Sequence, residues 1–131
     1  MEGATYFATW RLRKGQPELN PEERTAVAAA LRHYDGARYR LAGYVVMNDH
    51  VHVVAEPLAG HRLETIVQAW KSYTSHLLCR EKMRVSPVWL DKYFDRVLRS
   101  EMELAEKLDY IRCNPSRRWP DLDTYPWVWL A

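Results

Sequence analysis

Cysteine is scarce in this 131-residue chain, with only Cys79 and Cys113 present. Two thiols cannot build a disulfide framework, and these have no metal-finger spacing, so a reducing cytoplasm is the expected compartment. Long apolar runs are missing as well. No stretch approaches the roughly 18 residues of a membrane span, and no basic segment followed by an apolar stretch opens the chain as in a secretion signal. Charge of one sign is also lacking: 19 Lys and Arg stand against 17 Asp and Glu, for a net charge of +2. That balance permits nucleic-acid binding without arguing for it. Internal repeats, low-complexity tracts and linkers are absent, so the expectation is one domain spanning residues 1–131 of a soluble, cytoplasmic protein.

What is present is apolar and aromatic. Hydrophobic residues make up 47% of the chain, with six Trp and eight Tyr, a composition that folds rather than remaining disordered. Residues 5–12 read as a first strand. Asn20-Pro21-Glu22-Glu23 opens a helix with a cap, a proline and an acidic first turn. Ala26, Val27, Ala30, Leu31 and Tyr34 form its apolar stripe, and Asp35-Gly36 ends it. Residues 38–47 and 51–56 are predicted to be a hairpin whose two-residue turn is Asn48-Asp49, because Asn and Asp tolerate left-handed backbone angles. His50 then falls at the start of the third strand, near the sheet edge. Residues 62–83 have helical spacing, 87–90 read as a short fourth strand, and Ser100-Glu101-Met102-Glu103 caps a last helix. That helix is expected to end near Asn114, since Pro115 disfavours helical geometry in the residue before it. The order β-α-β-β-α-β-α predicts an α+β fold, a ferredoxin-like antiparallel sheet covered by helices.

The chemistry concentrates in two segments. His50 and His52 alternate on a strand, so both imidazoles project from one face about 7 Å apart along it, where one cation can bridge them. On the last helix Leu104, Leu108 and Ile111 form the core stripe, whereas Tyr110 shares a polar stripe with Glu103, Lys107 and Asn114. Two imidazoles and the Asn114 amide oxygen supply three ligands and leave open positions for substrate oxygens. The negative end of the helix dipole favours a cation there. A phenol of pKa about 10 is a poor nucleophile at neutral pH, and a metal that stabilises developing charge compensates. The implied reaction is attack by Tyr110 on a phosphodiester to give a covalent phosphotyrosine. Lys71, Arg96 and Lys107 are candidate phosphate contacts, the first two within residues 71–99, where basic residues outnumber acidic ones.

These segments resemble a known family. Val46-Met47-Asn48-Asp49-His50-Val51-His52-Val53-Val54 is similar to the HUH motif, two histidines flanking a hydrophobic residue. Tyr110-Ile111-Arg112-Cys113-Asn114-Pro115 is similar to the tyrosine helix of the REP-associated tyrosine transposases, single-tyrosine HUH transposases of the small bacterial insertion-sequence type. Trp70-Lys71-Ser72-Tyr73 and the block from Trp89 to Arg99 resemble further family segments in the same order. Two departures stand out: Asn48-Asp49 replaces the usual Pro-Asn before the first histidine, and Ser116-Arg117-Arg118-Trp119 follows Asn-Pro in place of a small-residue segment. The resemblance implies the HUH endonuclease fold and metal-dependent, site-specific nicking and joining of single-stranded DNA at hairpin-forming repeats. It makes Tyr110 the nucleophile and His50, His52 and Asn114 the holders of magnesium or manganese. The 5′ phosphate would stay on the tyrosine. Relatives of this type occur as monomers and as homodimers, and the sequence does not choose between them.

Three other readings compete. A domesticated, non-cleaving single-stranded DNA-binding protein would use Lys71, Arg96, Arg99, Arg112, Arg117 and Arg118 with Trp89, Tyr93 and Trp119 to track phosphates and stack bases. A histidine-triad nucleotide hydrolase needs a third histidine where Val54 stands. A zinc-bound regulatory domain would hold its metal without DNA, since imidazole suits zinc well. His33, His61 and His76 read as surface or boundary residues.

Overall fold

A computed structural model describes residues 3–131. Its eight elements are β1 (Thr5–Arg11), α1 (Pro21–Arg32), β2 (Tyr39–Val46), β3 (His50–Pro57), α2 (Leu63–Lys82), β4 (Phe94–Leu98), α3 (Glu101–Arg118) and β5 (Val128–Leu130). The strands form one sheet in the order β4-β1-β3-β2-β5, and all four pairings are antiparallel. The first four strands have the split β-α-β arrangement of the ferredoxin-like class, with β5 added at one edge.

Alternation along each strand divides the molecule into three layers. Ala8, Trp10, Tyr44, Val46, Val51 and Val53 pack with α1 and α2 in the larger core. Phe7, Val45, Met47, Val54 and Leu98 pack with Ile111 of α3 on the opposite face. Because a strand reverses its side chains at each residue, position along β1 and β3 fixes which core a residue joins, whereas β2 changes phase at an irregularity between Leu41 and Gly43. Thr9, Arg11, His50 and His52 therefore share the α3 face.

Helix α1 starts where its capping signal stands. The Asn20 side chain accepts from Glu23 N at 2.9 Å, and Glu23 Oε1 accepts from Asn20 N at 3.0 Å. Its buried stripe is Val27, Ala28, Ala30 and Leu31; Tyr34 lies beyond the helix, exposed, with Arg38 stacked on its ring. The β2–β3 connection is the expected tight turn, closed by Met47 N donating to His50 O at 2.8 Å. Left-handed angles are not what makes it, since among the described residues Met83 alone of the non-glycines has positive φ. The turn is held instead by outside partners: Leu19 N donates to Asn48 O, Leu12 N to Asp49 O, and Asn48 Nδ2 to Glu18 Oε2. Since β3 is the central strand, His50 lies at a strand end and not at the lateral sheet edge.

Three other expectations are corrected. The fourth strand is Phe94–Leu98; residues 87–90 contribute only a bridge from Trp89 to Leu12. Trp89 is buried as a core anchor, and its Nε1 donates to Thr74 Oγ1 at 2.9 Å. Helix α3 does not stop at Asn114 but runs through Pro115 to Arg118. The hydrogen bond that Pro115 cannot donate is offset by its burial and by Trp119 N donating to Pro115 O at 2.8 Å. β5 was not anticipated. Its approach needs Gly43, where an added Cβ would lie 2.7 Å from Leu130 Cδ2 and 3.1 Å from the Trp129 carbonyl oxygen.

Candidate functional site

The two histidines project from the α3 face with ring centroids 4.6 Å apart. Tyr110 comes from α3 onto the same spot, its ring 5.3 Å from that of His52. Phe7 forms the floor, stacked on His52 at 5.3 Å and edge-on to Tyr110 at 6.2 Å. Phenol and imidazoles thus meet within a single chain. Asn114, one turn beyond Tyr110, is 9% exposed.

His52 is nearly sealed, and burial, followed by the charges of His50, Arg11 and Lys107, pushes its pKa down to about 3. It is therefore a neutral imidazole across the physiological range. Its Nδ1 lies 2.7 Å from Thr9 Oγ1, its cross-strand partner. Its Nε2 is buried without any hydrogen-bond partner, a state shared among the described residues only by Trp10 Nε1. Leaving such a nitrogen unmatched costs on the order of 1–3 kcal/mol, which a cation at Nε2 would recover. The His50 Nδ1 lies 2.7 Å from Asp49 Oδ1. No cluster of three or more His, Cys, Asp or Glu suited to a metal occurs among the described residues. The two imidazoles stand together on this face, and Asn114 follows one turn after Tyr110 on α3.

Positive charge surrounds the tyrosine. Lys107 Nζ lies 4.7 Å from the Phe7 ring centre and 5.5 Å from that of Tyr110. Arg117 places its guanidinium 5.1 Å from the Tyr110 ring centre, a position that exists only because α3 continues past Pro115. Arg96 lies on this face opposite Phe7, half exposed and bonded to Glu103 at 3.3 Å. Lys71 differs from the other candidates. It is 7% exposed, and its Nζ donates to the carbonyls of Leu90 and Asp91 at 2.7 and 2.8 Å. Burial lowers its pKa, with Asp91 opposing. The expectation of a free phosphate contact at Lys71 is corrected: its ammonium holds the 90–91 loop to α2.

Sequence reading missed Phe7, Thr9, Arg11 and Asp49. The first three stand at alternate positions of β1, so the period-2 rule groups them. Only the strand register shows that the group faces His50 and His52.

Two imidazoles and a phenol thus meet on one face of a ferredoxin-like sheet. Residues 6–114 match the family of IS200-like transposases, and the chain belongs to that family. The fold is similar to that of a REP-associated tyrosine transposase bound to a REP hairpin, with a TM-score of 0.81 at 19% identity over 98% of this chain and 77% of the other. A protein of Deinococcus radiodurans R1 provisionally described as a transposase is similar at a TM-score of 0.57, with 19% identity over 82% of this chain and 88% of the other. No curated protein matches the sequence.

Proposed function

We propose that this transposase nicks and rejoins single-stranded DNA through a 5′-phosphotyrosine at Tyr110, acting at hairpin-forming repeats. The observation that carries the reading is the 5.3 Å approach of the Tyr110 ring to His52, whose Nε2 is buried without a hydrogen-bond partner. Membership of the IS200-like family supports a DNA-transferring enzyme, and the hairpin bound by a structural relative supports the substrate class.

His50, His52 and Asn114 would hold a divalent ion, magnesium or manganese. When bound, that ion would polarise the scissile phosphate and offset the charge that develops on it. The residues of the chain perform the rest. Tyr110 Oη attacks phosphorus and gives up its proton to water; the Oη–P bond forms as the P–O3′ bond breaks. The departing oxygen takes up a proton and leaves as a 3′ hydroxyl. One phosphoester is exchanged for another, so a second 3′ hydroxyl can reverse the step without ATP. Lys107 and Arg117 place positive charge where the phosphate must sit, and Arg96 extends it toward the sheet edge. Phe7 keeps water away from one side of the phenol and of His52.

The test is Tyr110→Phe, which removes one oxygen and keeps the ring packing. With labelled hairpin oligonucleotides and manganese, the variant is expected to bind DNA as the natural protein does and to cut none. Cleavage by the variant would overturn the assignment of the nucleophile. A natural protein that binds but does not cut would favour the domesticated DNA-binding reading.

A further inference from the structure

We infer that Asp49 is a positioning residue for the metal site, fixing His50 in the tautomer whose Nε2 carries the ligating lone pair. This rests on the reading of His50 and His52 as metal ligands. The Asp49 carboxylate lies 2.7 Å from His50 Nδ1. An ionised carboxylate only accepts hydrogen bonds, so Nδ1 must carry the hydrogen. A neutral imidazole has one N–H, and Nε2 is then left as the free lone pair.

Thr9 cannot do the same for His52. Its hydroxyl, 2.7 Å from Nδ1, can donate or accept, and either tautomer satisfies it. The two imidazoles are therefore held differently, and the carboxylate is the group that selects a tautomer. Its backbone is fixed for the purpose. Leu12 N donates to Asp49 O at 2.9 Å, Leu19 N donates to Asn48 O at 2.7 Å, and Met47 N closes the turn onto His50 O. Among the described residues the Asp49 side chain bonds only His50. It is 53% exposed against 13% for His50, so it contributes little packing, and its effect must pass through the imidazole. Carboxylates that hold a ligating histidine in this way typically change metal affinity about 10–100-fold.

Two measurements near neutral pH test this. In metal-free protein, imidazole 15N NMR is expected to show His50 with hydrogen on Nδ1 and a bare Nε2. Asp49→Ala should move His50 toward the Nε2–H form while the melting temperature stays put. Manganese titration followed by electron paramagnetic resonance should then show a dissociation constant raised roughly 10–100-fold in Asp49→Ala. Asp49→Asn, which keeps an acceptor oxygen, should restore most of the affinity. A natural protein with hydrogen on His50 Nε2, or manganese affinity unchanged in Asp49→Ala, would overturn the role of Asp49. Absence of manganese binding in the natural protein would overturn the metal reading itself, whatever the tautomer.

Discussion

The ring of Tyr110 lies 5.3 Å from that of His52 at an interplanar angle of 65°, although one stands on the last helix and the other on the central strand. Their meeting depends on Ile111, fully buried beside Phe7, Val45 and Val54, which sets the rotation of α3 against the sheet. Tyr110, about 100° around the helix from Ile111, is thereby turned toward the imidazoles at the margin of this core.

Arg117 is expected to act on rate more than on stability. Its guanidinium is close to the Tyr110 ring while its side chain is exposed. Arg117→Ala should slow strand cleavage by on the order of 10–100-fold and leave the melting temperature within a degree or so. Single-turnover cleavage of a labelled oligonucleotide, set beside a thermal melt, reads both quantities. Equal cleavage rates in the two proteins would remove Arg117 from the site.

Lysines 71 and 107 should behave in opposite ways. Lys107→Ala removes a proposed phosphate contact and is expected to reduce the salt dependence of single-strand binding by about 0.7 in the log–log slope. Lys71→Met should leave that slope alone. It strands two carbonyls, and the thermal stability is expected to fall by roughly 1–3 kcal/mol. A lowered slope in Lys71→Met would return Lys71 to the DNA contacts.

Glu23 and Arg84 form a buried ion pair, with side chains 4% and 5% exposed and bonds of 2.6 and 2.8 Å. Burial pushes the Glu23 carboxyl up, but the Arg84 bond, the Asn20 backbone N–H and nearby positive charge outweigh it, and its pKa is lowered. A carboxyl with a lower pKa folded than unfolded stabilises above the unfolded value, and that contribution is lost as pH falls through the folded one. The difference in unfolding free energy between the natural protein and Glu23→Gln should therefore shrink on acidification below pH about 4.5. Arg84→Ala, which leaves the carboxylate buried alone, should cost roughly 3–5 kcal/mol in a denaturant melt. A pH-independent difference would show that the pair does not titrate with folding.

Much of the architecture was legible because it rests on local signals. Asn20 and Glu23 mark the start of α1 by reciprocal bonds, and Ser100 marks that of α3 by accepting from Glu103 N. The alternation of His50 and His52 puts both rings on one face whatever the partner strands do. β4 escaped notice because it is an edge strand whose Asp95 and Arg96 point to water, which removes the apolar alternation that identifies a half-buried strand. β5 has three residues, too few for any pattern. The end of α3 is not legible locally, because the penalty of Pro115 is offset by burial that only the fold supplies. Lys71 shows the same limit from the other side: nothing within α2 reveals that the carbonyls of Leu90 and Asp91 will come to its ammonium.

The most direct test of the account is the chemical identity of the product. Incubated with a hairpin-bearing single strand and manganese, the protein should form a denaturant-resistant adduct, and mass spectrometry of the digested adduct should place a nucleotide 5′ phosphate on Tyr110. A chelator should prevent the adduct. Cleaved DNA with no protein attached, or attachment at any residue other than Tyr110, would contradict it.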